Sequence, residues 1–99
     1  MKIKNTSPSC ASKLKVLSDP TRLAVLETLM SGPKNVGELI EQLDVEQSLL
    51  SHHLAVLRDT GLVEASREGK AMVYQLSASV SNSTAGRAIN LGCCKISFD

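Results

Sequence analysis

Ninety-nine residues, 42% hydrophobic and 21% charged, with a net charge of +1 and two aromatics (Tyr74 and Phe98), suit one domain with a modest core. No apolar run approaches the ~20 residues of a membrane span, Met1–Pro8 lacks the apolar stretch of a signal peptide, and the balance is too hydrophobic for intrinsic disorder. So few aromatics argue against stacking-type recognition of single strands, and the charge total alone points to no nucleic-acid partner.

That total is a cancellation. Residues 1–34 carry Lys2, Lys4, Lys13, Lys15, Arg22 and Lys34 against Asp19 and Glu27, whereas residues 35–46 carry Glu38, Glu41, Asp44 and Glu46 with no base. In chain order, a basic arm over residues 1–9 leads into a short helix from Ala11 to Leu17. Asp19 is placed to cap a second helix with Pro20 at its first position, where the missing N–H costs nothing. Leu23, Leu26, Leu29 and Met30 form its apolar stripe, and Ser31-Gly32-Pro33 ends it. Asn35-Val36-Gly37-Glu38 has the form of a capping box and opens a short helix burying Leu39, Ile40 and Leu43. After a turn at Asp44-Val45, a fourth helix runs from about Glu46 to Asp59 on Leu50, Leu54 and Leu57, with Gly61 as its stop.

From Leu62 the period becomes two. Val63, Ala65 and Arg67 alternate with polar neighbours, Met72, Tyr74 and Leu76 return, and Glu68-Gly69-Lys70 is the hairpin tip. Val80, Thr84, Ala88 and Leu91 keep helical spacing, so a last helix is expected to end near Gly92, leaving 92–99 as a tail. The whole, 1–99, reads as a single domain, mainly α with a small β-hairpin.

Two short helices joined by a tight turn and followed by a hairpin make a winged helix-turn-helix. Leu17-Ser18-Asp19-Pro20-Thr21-Arg22-Leu23, then Leu50-Ser51-His52-His53-Leu54 with Leu57-Arg58 and Gly61-Leu62-Val63, and the tip with Tyr74, resemble the ArsR/SmtB metalloregulatory repressors. The resemblance runs from about Lys13 to Ser77. It implies a homodimer through first and last helices, bound to a double-stranded operator with an inverted repeat; the cysteine usage and the lack of an apolar span point to the cytoplasm, without a membrane partner. Ala85, Gly86 and Ala88 are small enough for close helix approach.

In a helix-turn-helix the second helix lies in the major groove and its first turns meet base edges. That nominates Gln47, Ser48, Ser51 and His52, opposite the apolar stripe; Gln pairs with adenine, while Ser and His donate to bases or phosphates. The alternative is that Gln47 and Ser48 only start and solvate the helix. For His53, on the inner side, the resemblance implies a structural hydrogen bond at the junction. Arg58, Arg67 and Lys70 are the candidate phosphate contacts. Residues 45–76 hold only those three bases against Glu46, Asp59, Glu64 and Glu68, so DNA binding should need a dimer and show a modest salt slope.

For sensing, the family's sulfur pattern at the start of the third helix is missing, since Asn35-Val36-Gly37 stands there. Its zinc-type pairs on the last helix are missing too, because residues 78–92 hold no Asp, Glu or His. Cys10, Cys93 and Cys94 remain. Their odd number and spacing do not suit a secreted disulfide framework, and free thiols are expected. Three thiolates without nitrogen or oxygen partners suit As(III) or Sb(III) as inducer, or Cu(I), better than tetrahedral Zn(II). Cys10 of one subunit would join Cys93 and Cys94 of the other, with Lys13 and Lys95 favouring thiolates. The alternatives are Cd(II) or Zn(II) sensing, a Cys10–Cys93 or Cys10–Cys94 disulfide, a persulfide bridge, or an inert pair in a loose tail. No phosphate loop, carboxylate pair or nucleophile–base set marks an enzyme. A protein-interaction module using the acidic third helix is the remaining alternative.

Overall fold

The computed structural model describes residues 9–78, 80 and 88–98. Lys2 and Lys4 of the basic arm, and Thr84, Ala85 and Gly86, lie outside them. Four helices, α1 (Cys10–Val16), α2 (Pro20–Leu29), α3 (Val36–Leu43) and α4 (Gln47–Asp59), are joined by a short strand β1 (Lys34–Asn35) between α2 and α3. The wing follows as β2 (Val63–Glu68) and β3 (Ala71–Leu76), and β4 (Ala88–Asn90) and β5 (Lys95–Ser97) close the chain.

Local chemistry sets each boundary. The Asp19 carboxylate accepts the Thr21 and Arg22 backbone N–H groups at 2.8 and 3.1 Å, which caps α2, with Pro20 behind it as its first residue. Asn35 and Glu38 close the expected capping box reciprocally, each side chain accepting the other residue's N–H, at 2.8 and 2.9 Å. α3 stops where Asp44 turns left-handed at φ 53°, a conformation that Asp tolerates better than most residues. α4 stops ahead of Gly61 at φ 81°, and Gly69 at φ 63° makes the wing tip.

The core lies where α2, α3 and α4 meet. Val25, Leu26, Leu39, Leu50, Leu54, Leu57 and Leu62 are fully buried there, and each such side chain contributes roughly 1.5–3 kcal/mol by leaving water. β2 and β3 pair antiparallel from Val63↔Leu76 to Glu68↔Ala71. β1 adds to the far edge of β3 through Lys34↔Tyr74 and Asn35↔Val73, so the wing is a three-stranded sheet in the order β1-β3-β2. Only two residues long, this edge strand leaves no period of its own in the sequence.

The C-terminal region differs from the expected helix and tail. Residues 88–97 are a second antiparallel hairpin, with Ile89 opposite Ile96, and not the end of a helix. Two features favour the hairpin. β-branched Ile89 and Ile96 form a cross-strand pair. Between them Asn90 accepts the Gly92 N–H on its side-chain oxygen at 2.8 Å, and Gly92 takes φ 92°, so the chain turns sharply. Val80, Ile89 and Leu91 are buried in the same core as α2–α4, and Cys94, Ile96 and Phe98 of the expected tail pack against it.

Candidate nucleic-acid interface and cysteine cluster

A polar clamp links α2 to α4. Arg22 Nε donates to His53 Nδ1 at 2.9 Å, and the same guanidinium reaches the Val16 carbonyl at 3.4 Å. Because Nδ1 accepts, the His53 proton sits on Nε2, which lies 4.0 Å from the Asp19 carboxylate. His53 is buried, in the structural hydrogen-bonding place that the resemblance implied. The Arg22 backbone N–H is the main cause holding the Asp19 carboxyl below its ordinary range; partial burial opposes it, and the Thr21 N–H, His53 and the Arg22 charge assist. Arg22 thereby ties α1, α2 and α4 together, a role that reading the residues for DNA contacts missed.

With one side of α4 locked inward, its other side is presented to solvent. Gln47, Ser48, Ser51 and His52 are all exposed over its first two turns. Gln47 and Ser51 line an open groove of about 550 Å³ together with Asn35, Gly37, Lys70 and Tyr74, so the start of α4, the start of α3 and the wing share one surface. Ser48 donates its hydroxyl to the Glu46 carboxylate, while Glu46 itself makes no side-chain cap on α4. His52 stands outward, its ring 5.6 Å from that of His53. Arg67 and Lys70 are exposed at the wing end. Arg58 is apart from these: it lines a separate cleft with Gly61, Val63, Glu64 and Ser77. One exposed member of the helix face went unnoticed in the sequence. Leu49 is 48% exposed between Ser48 and Leu50.

At the opposite end of the chain the three sulfurs converge. Cys10 begins α1 after Ser9, whose hydroxyl caps the Ser12 N–H at 3.2 Å. Cys93 and Cys94 occupy the turn of the β4–β5 hairpin. Cys10 and Cys93 form a disulfide across 83 residues of sequence, with Cα atoms 5.9 Å apart, and Cys94 is a free thiol whose Sγ lies 3.8 Å from that of Cys10. All three sulfurs lie within 4.8 Å of one another, and theirs is the metal-compatible cluster of three or more such ligands among the described residues. Two expectations change as a result. The thiols are not all free, and the cluster is complete within one chain, because the hairpin folds back onto α1 and brings all three together. Lys13 anchors that contact by donating from Nζ to the Leu91 carbonyl at 3.2 Å, so its charge is engaged by the backbone at the turn.

Residues 19–65 match the family model described as "Bacterial regulatory protein, arsR family". The chain is 47% identical over 66 residues to the HTH-type transcriptional regulator NmtR of Mycobacterium tuberculosis, covering 67% of this chain and 55% of that protein. It is 43% identical over 63 residues to the arsenical resistance operon repressor of Staphylococcus xylosus, covering 64% and 61% respectively. The solved structure of HlyU from Vibrio cholerae superposes with a TM-score of 0.70 at 36% identity, over 78% of this chain and 84% of that one. The chain spans a little over half the length of NmtR, and the match falls on the helix-turn-helix and wing. No described helix is long and apolar enough to cross a membrane. The helix-turn-helix with its wing, the matching model and these relatives together show that the chain belongs to the ArsR family of bacterial transcriptional regulators.

Proposed function

We propose that this protein is a homodimeric operator-binding repressor released when a thiophilic ion, arsenite or antimonite, is held by Cys10, Cys93 and Cys94. The observation that carries the reading is the convergence of three sulfurs within 4.8 Å, with no nitrogen or oxygen ligand among them. Such a set suits a soft ion that takes three thiolates. It requires the Cys10–Cys93 bond to be reduced. One relative is named as an arsenical resistance operon repressor, which agrees with this choice of ion.

On this reading Gln47, Ser48, Ser51 and His52 contact bases, while Lys70, Arg67 and Arg58 contact phosphates. A two-fold dimer doubles every contact across an inverted repeat. α1, with Leu14 46% exposed, is the element available for pairing. Binding of an ion that ties Cys10 of α1 to the β4–β5 turn changes the packing of α1, and with it the spacing of the two reading helices. A coupling of roughly 1–3 kcal/mol lowers operator affinity 5- to 150-fold. Reciprocity requires that operator DNA weaken ion binding by the same factor.

Fluorescence anisotropy of operator-bound, reduced protein titrated with arsenite, antimonite, Cu(I), Cd(II) and Zn(II) tests this directly. Release by the first two, lost when all three cysteines become Ser, is the expected result; equal release from the triple variant refutes it. A second reading is favoured by the Cys10–Cys93 disulfide itself: oxidation alone switches the protein. Operator release by diamide without any ion distinguishes the two.

A further inference from the structure

α4 exposes one large apolar side chain among its polar ones. Among the described residues, only Leu14 and Leu49 are large hydrophobics left in the open, and Leu49 sits in the first turn of α4. It is not part of the stripe that docks the helix, since Leu50, His53, Leu54 and Leu57 fill that role. Its neighbours over the same two turns, Gln47, Ser48, Ser51 and His52, are exposed and hydrogen-bonding. Leu49 and His52 are three residues apart and therefore adjacent on the helix surface.

Base edges in the major groove offer donors and acceptors to such polar groups, and one apolar feature: the 5-methyl group of thymine. An isobutyl side chain entering that groove gains nothing from a polar edge and desolvates it at a cost. Against a methyl group it buries apolar area on both partners.

We infer that Leu49 is a specificity-determining residue that reads a thymine in each operator half-site through its 5-methyl group. The inference rests on α4 being the DNA-reading helix. It assigns the base contacted by Leu49 to a T·A pair. Removing one buried methyl corresponds to about a fourfold change in affinity for each thymine.

The test uses the full-length dimer and a duplex selected by it from a random pool, with deoxyuridine replacing each thymine in turn. Uracil keeps every hydrogen-bonding group and lacks only the methyl. One symmetric pair of positions is expected at which the replacement weakens wild-type binding about fourfold per half-site. Leu49→Ala should bind thymine and uracil duplexes alike at those positions, and Leu49→Met should retain most of the discrimination. Both substitutions are at an exposed site, so circular dichroism should show unchanged folding. The inference is overturned if no uracil position matters, or if the loss is equally large in Leu49→Ala. Gln47→Ala with Ser48→Ala separates the two possible failures. If that pair weakens binding while the uracil series is flat, only the Leu49 assignment falls; if neither matters, α4 is not the reading helix and the assignment falls with it.

Discussion

Asp19 does two things with one carboxylate. It caps α2 through two backbone N–H groups and stands beside the His53–Arg22 pair. Removing the cap with Asp19→Ala should cost about 1 kcal/mol, measured by urea unfolding at neutral pH. Asp19→Asn keeps an acceptor and should cost less. The sign of the pH effect follows from the lowered carboxyl pKa. A group depressed in the folded state adds stability above its unfolded value, and this is lost as pH falls through the folded one. The wild type should therefore lose stability below about pH 4, and Asp19→Asn should show a shallower decline there. His53→Ala strips the acceptor from a half-buried guanidinium and should destabilise by about 1–3 kcal/mol in the same assay. The cap at Asp19 was legible from Ser-Asp-Pro alone. The Arg22–His53 bond joins residues 31 apart and has no local signature.

At the level of elements, α2, α3 and α4 were readable because each carries a start or stop signal of its own. α3 has its box, α2 its Asp-Pro, and α4 its terminal glycine. Gly61 illustrates the backbone part: an added Cβ would meet nothing within 4 Å, so Gly61→Ala is opposed by φ alone. The expected loss is about 1–2 kcal/mol, seen as a lowered thermal midpoint with no change in operator contacts. The C-terminal hairpin was not readable by the same means. Ala88 and Leu91 fall at helical spacing, yet Ile89 and Ile96 face each other across a turn that only Asn90 and Gly92 announce. Periodicity over four positions was outweighed by turn chemistry. β1, two residues long, is defined only by its partner on β3. Within the candidate site, the polar face of α4 followed from its apolar stripe. The meeting of Cys10 with Cys93 and Cys94 in one chain depended on that unforeseen hairpin.

For the whole molecule, near neutrality carries a quantitative expectation. If Arg58, Arg67 and Lys70 of both protomers contact phosphates, the slope of log K against log salt should be about −5. A distinctly steeper slope would assign further contacts to the N-terminal lysines. Reduction has its own expected effect. Opening a bond that spans 83 residues should lower stability by about 2–4 kcal/mol, read as a shift in the denaturation midpoint with and without dithiothreitol. The hairpin core of Ile89 and Leu91 should hold the fold together after reduction, because both are buried against α2–α4 independently of the sulfurs.

The Cys10–Cys93 bond also makes the helix-turn-helix and wing part of a covalent ring. Every element from α1 to β4 lies inside it, including the exposed wing tip at Gly69 and Lys70. A protease that cuts the oxidised chain at Lys70 therefore leaves one molecule: the fragments stay joined and run together on a non-reducing gel, separating only when thiol is added. In the reduced protein the same cut yields two pieces held by packing alone, so a single nick reports which state the sulfurs occupy.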